Sequence, residues 1–240
     1  MNNFQIIDLD SELFGMTVAK ILPDRLTTVQ LEQTIAGMKE NKVRLAYWTT
    51  NQNDKESRLA AETFSGYLAD RKVTFVADLE QVQEPVDRLK WVVEEYTDTH
   101  TNKELETLAI QAGVYSRFKL DPRIPDYKFE DLFKLWIRNS VNRQVADAVL
   151  VARQSANIVG MVTVGEKNGR SDIGLAAVDV SMRGKNIGVS LVYAAKEWGR
   201  VKGYKYAQVV TQEKNTVACK LYEKCGYKID KIEYLYHFWI

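Results

Sequence analysis

The sequence predicts an α/β fold, because strand-like and helix-like segments alternate along most of the chain. Residues 17–79 and residues 173–238 each follow the order strand–helix–strand–helix–strand. In the later stretch, an apolar run predicts a buried strand over residues 173–180. The helix after it is predicted from apolar residues at helical spacing, which are Leu191, Ala194, Ala195 and Trp198.

The remaining elements follow from the same periodicities. In the first part of the chain we expect strands over residues 17–22, 44–49 and 72–79, and helices over residues 28–41 and 57–67. In the middle, a helix over residues 102–113 opens at a Thr101/Asn102 cap region and closes at Gly113. A loop containing Pro122 and Pro125 leads to a further helix. That helix and the two strands after it are predicted over residues 129–141, 148–152 and 158–164.

The two alternating stretches correspond in element order and segment length, which predicts an internal half-repeat. Sequence identity between them is low, so convergent packing is the alternative. The charged, proline-bearing segment at residues 80–85 is the predicted boundary between the halves. We therefore expect an N-terminal half-domain over residues 1–84 and a second domain over residues 85–240.

The turn at residues 183–188 is the main candidate binding element. It joins a predicted strand to a predicted helix and carries Gly184, Asn186 and Gly188. Unpaired backbone N–H groups and the helix dipole favour an anion at such a helix N-terminus, which suggests a phosphorylated ligand. An ordinary strand–turn–helix connection is the alternative. The corresponding early turn, residues 23–28, has no glycine, so we expect one cofactor site per chain.

The residues of this turn resemble a known family. Arg183-Gly-Lys-Asn-Ile-Gly188 is similar to the pyrophosphate loop of the GNAT superfamily of N-acyltransferases, Gln/Arg-x-x-Gly-x-Gly/Ala, with Asn186 where the family usually has glycine. Asn adopts the left-handed conformation more readily than other non-glycine residues. A second signature follows in the family's order, and its residues are Asn215, Ala218, Tyr222, Gly226 and Tyr227.

The resemblance implies the GNAT fold, a mixed and mostly antiparallel sheet flanked by helices, with acetyl-CoA as the acyl donor. In that fold the N-terminal half-domain would lack a cofactor site. The backbone of residues 177–180 would pair with the pantetheine arm. Tyr222 would be the general acid that protonates the leaving thiolate, and Asn215 would contact pantetheine or cap its helix. The residues implied to bind acetyl-CoA are Ala177, Val178, Val180, Arg183, Gly184, Lys185, Asn186, Ile187, Gly188 and Asn215.

Short motifs spread over most of the chain resemble the acetyltransferases of dTDP-linked 4-amino-4,6-dideoxy sugars. They are Leu13-Phe-Gly15, Tyr115-Ser-Arg-Phe118, Leu135-Trp-Ile-Arg-Asn139 and Lys220-Leu-Tyr222. The resemblance implies a dTDP-amino sugar as acceptor, and it places Arg117 and Phe118 at the acceptor site. Other small-molecule amines, protein amines and a non-catalytic acyl-CoA-binding module are the alternatives. No general base stands out.

Composition is that of an ordinary globular protein, with 45% hydrophobic and 27% charged residues. With 33 basic and 32 acidic residues and no charge block, we expect neither nucleic acid nor membrane partners. The N-terminus does not resemble a signal peptide, so we expect a cytoplasmic protein. The sequence does not decide between a monomer and a homodimer. We expect no metal site, because the spacing of Cys219, Cys225, His100 and His237 suits structural roles.

Overall fold

Two units make up the fold in the computed structural model, which describes residues 3–80 and 90–240. The first unit combines Met1–Val73 with Lys231–Ile240, and the second is Thr74–Asp230. The first unit is therefore completed by the C-terminal segment of the chain. The predicted domain boundary between residues 84 and 85 lies outside the described residues.

The first unit is built on strands that alternate with helices. Its elements are β1 (Phe4–Ile6), α1 (Asp8–Phe14), β2 (Val18–Ile21), α2 (Thr28–Glu40), β3 (Leu45–Asn51), α3 (Lys55–Thr63), the first part of β4 (Tyr67–Asp78) and most of β10 (Lys228–Trp239). β2 runs parallel to β3, whereas β1 and β10 are antiparallel to their neighbours β2 and β3. Apolar side chains from β2, β3 and β10 form a core with those of α2 and α3, including Ile21, Leu31, Trp48, Ala60 and Phe238.

The second unit has a sheet in the order β9-β8-β7-β6-β5. Its elements after β4 are β5 (Val93–Glu95), α4 (Lys103–Ala112), α5 (Arg117–Leu120), α6 (Asp126–Val141), β6 (Ala148–Gln154), β7 (Asn157–Lys167), β8 (Arg170–Val178), α7 (Ile187–Val201), β9 (Tyr206–Gln212) and α8 (Thr216–Lys224). The pairs from β5 to β8 are antiparallel, and β8 and β9 are parallel. The predicted mixed, mostly antiparallel sheet flanked by helices is confirmed.

Several boundaries differ from the predicted ones for local reasons. The early helix predicted over residues 57–67 ends at Thr63, and Tyr67 opens β4. A Cβ on Gly66 would lie 2.8 Å from the Phe238 ring, so the chain must turn there with glycine. The predicted loop after Gly113 contains the short helix α5. Periodicity did not predict β1, α1 or β5, which span three, seven and three residues.

Candidate active site

The candidate site forms where β8 and β9 part. These parallel strands pair over only three residues, and the last pair is Ile173 with Val209. Within the described ladder, β8 continues to Val178 and β9 continues to Gln212 without further paired residues. Backbone N–H and C=O groups that face the gap need other partners. The gap can therefore accept an extended ligand through main-chain hydrogen bonds, as an added strand would.

A β-bulge in β8 lies next to the point where the strands part. Thr163 of β7 faces two residues of β8, and its Oγ1 accepts a hydrogen bond from the Leu175 N–H at 2.8 Å. A Cβ on Gly174 would lie 2.8 Å from the same oxygen, which explains the glycine. Bulges bend a strand and redirect its backbone groups. Here the bulge turns the strand just before the half-buried Ala177 and Val178, two of the predicted ligand-binding residues.

The strand is shorter than predicted. β8 ends at Val178, because the Asp179 carboxylate accepts a hydrogen bond from the Ser181 N–H and starts a 3₁₀ helix over Val180–Met182. The strand predicted over residues 173–180 is therefore wrong for its last two residues, whereas the pairing of this segment with a ligand stays a prediction. Val180 is 62% exposed in the 3₁₀ helix. Ala177 and Val178 keep the predicted extended conformation.

The turn between β8 and α7, which we call the anion loop (residues 183–188), leaves backbone donors unpaired. Gly184 has φ +80° and Asn186 has φ +63°, and the Asn186 side chain makes no capping bond to α7. The backbone N–H groups of Ile187, Gly188 and Val189 donate no hydrogen bond to any acceptor among the described residues. Together with the positive end of the α7 dipole, these donors suit an anion.

Side chains around the anion loop hold it in place. The Arg183 Nε donates to the Val178 carbonyl at 3.2 Å, so this guanidinium folds back onto the end of β8. The Lys185 ammonium lies 3.3 Å from the Met182 sulfur. The Lys224 Nζ on α8 lies 3.5 Å from the Asn186 Oδ1, which brings a cation to the loop that the sequence analysis missed.

Two glycines of the second unit allow close packing around this loop. A Cβ on Gly188 would lie 3.1 Å from the Leu221 Cδ2 of α8 and 3.7 Å from Val178. A Cβ on Gly160 of β7 would lie 2.9 Å from the side chain of Ile187, so α7 begins directly against the sheet. The predicted residues from Arg183 to Gly188 are thus brought together between the end of β8 and the start of α7.

Tyr222, the predicted general acid, lies on α8 with its side chain only 5% exposed. Its ring packs against Phe75 and Tyr227, with both centroid distances at 5.9 Å. Burial raises the pKa of the Tyr222 phenol far above its usual value, and the neighbouring Cys225 and Cys219 add to the shift. The phenol therefore keeps its proton at neutral pH and can act as a donor, not as a base.

Both ends of α8 are fixed. At its start, the Asn215 Oδ1 accepts from the Ala218 N–H at 3.2 Å, so Asn215 caps the helix, the simpler of its two predicted roles. At its end, the buried Lys196 of α7 donates to the Cys225 carbonyl at 2.9 Å. Burial lowers the pKa of the Lys196 amine. Gly226 follows with φ +83°, the left-handed conformation that often ends a helix. Tyr222 is thus held one turn from a fixed helix end.

A carboxylate lies at the point where β8 and β9 part, and the sequence analysis missed it. Asp172 precedes the last paired residue of β8, and its Oδ1 accepts from the Gln208 side-chain amide at 2.9 Å. Burial raises the pKa of Asp172, although the bond from Gln208 opposes the shift. A carboxylate with a raised pKa is a better proton acceptor than an exposed one. Its position in an apolar strand gave no sequence signal.

Arg117 and Phe118, the predicted acceptor-binding residues, open the short helix α5. The Arg117 guanidinium lies 3.9 Å from the centroid of the Phe118 ring, and the ring itself is 9% exposed. Phe118 therefore packs into the protein and supports the cation beside it. Two buried oxygens nearby in sequence, the Ser116 Oγ and the Gln111 Oε1, have no hydrogen-bond partner among the described residues.

Within the described residues, no group of three or more His, Cys, Asp or Glu side chains could hold a metal ion. The helices of the described part of the chain include none long and apolar enough to cross a membrane.

The anion loop and the tyrosine on α8 lie in the two sequence signatures that carry the family resemblance. Residues 104–227 match the Acetyltransferase (GNAT) family. The chain belongs to this family. The predicted superfamily is thus confirmed, and the prediction of an acyltransferase is confirmed at the level of the GNAT family. The half-repeat and the predicted binding residues stay predictions.

Two curated relatives match part of this GNAT chain. The spore coat polysaccharide biosynthesis protein SpsD of Bacillus subtilis is 26% identical over 132 residues, 55% of this chain and 45% of that protein. The dTDP-fucosamine acetyltransferase of Escherichia coli is 31% identical over 132 residues, 54% of this chain and 56% of that protein. The matched part of the chain thus spans about half the length of these relatives.

Among solved structures, a GCN5-related N-acetyltransferase from Sphaerobacter thermophilus has a TM-score of 0.61 at 14% identity. The match covers 98% of this chain and 75% of that one. At this identity the likeness shows a shared fold and no more.

Proposed function

We propose that this protein transfers an acetyl group from acetyl-CoA to the amine of a nucleotide-linked amino sugar. The proposal rests mainly on the run of unpaired N–H groups on the anion loop. This loop follows β8, the strand that borders the gap between β8 and β9. Membership of the GNAT family gives this geometry an acyl-transfer role. The names of the two relatives support a sugar acceptor for surface polysaccharide, such as a dTDP-4-amino-4,6-dideoxy hexose.

The residues at the site fit acetyl-CoA from one end to the other. The backbone of Ala177 and Val178 suits the pantetheine arm, because it is extended and lies beyond the last β8–β9 pair. The N–H groups at the start of α7 suit the pyrophosphate, and Lys224 and Arg183 add positive charge nearby. When bound, acetyl-CoA supplies an activated acetyl thioester.

Two side chains handle the protons of the transfer. Attack of the amine on the thioester carbon forms a C–N bond and breaks the C–S bond, so the amine loses a proton and the sulfur gains one. Tyr222 donates the proton to the sulfur, because its raised pKa keeps the phenol protonated. Asp172 accepts the proton of the amine, since it is a half-buried carboxylate with a raised pKa at the parting of the strands.

The proposed role of Asp172 is tested by its isosteric variant. Asp172→Asn should lower kcat/KM on the order of 100-fold, the usual range for loss of a general base. In the wild type, kcat/KM should fall as the pH falls through the raised pKa of Asp172, and this acid limb should disappear in the variant. An unchanged rate and pH profile would leave deprotonation of the amine to water.

The acceptor is tested by measuring acetyl-CoA turnover with a panel of amines. A dTDP-amino-dideoxy sugar should react far faster than polyamines, aminoglycosides or peptide amines, and faster than the same sugar without its nucleotide. Arg117→Ala should slow only the nucleotide-linked substrate, whereas Lys119→Ala on the same short helix should not. Equal rates with free and nucleotide-linked sugar would contradict a nucleotide-reading site. Preference for a peptide amine would move the protein to another acceptor class, and no turnover with any amine would favour a non-catalytic acyl-CoA-binding module.

A further inference from the structure

The indole of Trp91 contacts the anion loop from a distant part of the chain. Its Nε1 donates to the carbonyl oxygen of Lys185 at 3.0 Å, across 94 positions of sequence. Trp91 is half-buried and lies two residues before β5, which pairs with β6 from Val93 onward. The sheet therefore fixes the segment that carries the indole.

This bond sets the orientation of the peptide between Lys185 and Asn186. A trans peptide directs its C=O and its N–H in opposite directions. Because the Lys185 carbonyl is held by Trp91, the Asn186 N–H must point away from the indole. Rotation of the peptide would exchange the two groups and present an oxygen where the loop now has a donor.

The same peptide borders a strained residue, and its rotation would relieve that strain. Asn186 has φ +63°, and the left-handed conformation costs a non-glycine residue about 1 kcal/mol. One hydrogen bond contributes about 0.5–1.5 kcal/mol net, which is enough to offset that strain. The GNAT pattern usually has glycine at this position, where no such strain arises.

We propose that Trp91 is a positioning residue that keeps the anion loop in its phosphate-binding conformation. The proposal rests on the proposed function, since it concerns the phosphates of CoA. It assigns no contact between Trp91 and the ligand. Instead, the indole compensates for Asn186 and keeps backbone donors on the ligand side of the loop.

Trp91→Phe tests this role, because it keeps an aromatic ring and removes the N–H donor. By calorimetry, the Kd for CoA should rise roughly 3- to 10-fold, as expected for one lost hydrogen bond. With acetyl-pantetheine, a donor that lacks the phosphates, kcat/KM should stay at the wild-type value. Trp198→Phe is the matched control, because this half-buried indole lies in the later part of α7 and stacks on Tyr204. Its loss should change neither the Kd for CoA nor kcat/KM with acetyl-pantetheine.

The strain argument is tested in a second background. In Asn186→Gly, where positive φ carries no penalty, Trp91→Phe should weaken CoA binding less than in the wild type. An unchanged Kd for CoA in Trp91→Phe, or an equal loss with CoA and acetyl-pantetheine, would overturn the proposal. If the wild-type protein bound CoA no more tightly than pantetheine, the proposed function itself would fail, and the role of Trp91 with it.

Discussion

The connections from β2 to α2 and from β8 to α7 both join one strand of a parallel pair to a helix. They differ in whether an N-cap side chain accepts hydrogen bonds from the backbone N–H groups at the start of the helix. In the early connection, the Thr27 side chain accepts from the Gln30 N–H, and the Gln30 side chain accepts from the Thr27 N–H. This capping box satisfies the Gln30 N–H, one of the donors in the first turn of α2. In the later connection, Asn186 is left-handed and makes no such bond, so the start of α7 needs an external acceptor.

Both connections are held by a tryptophan. The Trp48 indole donates to the Pro23 carbonyl at 2.7 Å in the early one, and the Trp91 indole donates to the Lys185 carbonyl at 3.0 Å in the later one. An indole that fixes the turn is thus common to both. We therefore propose that the capacity to bind an anion depends on the missing cap, and not on the fixed turn.

The helices α3 and α8, which follow the next strand in each region, are alike in length and capping but differ in one buried residue. α3 and α8 each have nine residues, and their N-caps Asp54 and Asn215 both accept from a backbone N–H in the first turn. Seven residues after the cap, α3 has the fully buried Ala61, whereas α8 has Tyr222. Tyr222, the proposed proton donor, therefore stands seven residues after its cap, where α3 has a small packing residue.

The largest expected effect comes from placing a charge in the unpaired connection. Gly188→Glu should weaken CoA binding by about 100-fold or more, because it adds a negative charge beside the phosphates and crowds Leu221. Glutamate favours the first turn of a helix, so α7 itself should persist. Calorimetry with CoA measures the effect, and a circular dichroism melt checks the fold.

Val29→Glu is the matched control for this variant, because Val29 is the second residue of α2 as Gly188 is of α7. Val29 is 61% exposed, so the change should leave both the fold and the Kd for CoA intact. An equal loss of CoA binding in the two variants would contradict the contrast between the connections.

Loss of the phenol on α8 should have the next largest effect. Tyr222→Phe should lower kcat on the order of 100-fold, the usual range for loss of a general acid, with little change in the Kd for CoA. Tyr227→Phe is a close control, since that buried hydroxyl has no hydrogen-bond partner among the described residues and its removal should leave kcat near the wild-type value. A near-normal kcat in Tyr222→Phe would give this tyrosine a packing role only.

The smallest effect is expected at the early connection. Thr27→Ala removes the capping box of α2 and should lower the free energy of unfolding by about 1 kcal/mol. Because no ligand is expected at this turn, the Kd for CoA should not change. Urea unfolding measures the free energy of unfolding, and calorimetry measures the Kd for CoA. A higher Kd would mean that the early turn takes part in binding.

Local sequence was sufficient to predict the features that depend on neighbouring residues. The anion loop follows from Gly184 and Asn186 within a strand–turn–helix pattern, and the turn at Gly226 follows from the end of α8. The family resemblance added the proposed role of Tyr222, which periodicity alone does not indicate.

The residues that sequence did not predict act through distant partners. Trp91 and Lys185 are 94 positions apart, and Asp172 meets Gln208 across 36 positions. Lys196 is a buried lysine on a helix whose periodicity predicts only an apolar face. Such contacts are set by the tertiary fold, so no local pattern identifies them.

We propose that only the later connection binds the phosphates of CoA. Calorimetric titration of the wild-type protein with CoA tests it most directly, because the stoichiometry counts the sites. We expect one site per chain, lost in Gly188→Glu and kept in Val29→Glu. Two sites per chain, or a single site that survives Gly188→Glu and is lost in Val29→Glu, would contradict the account.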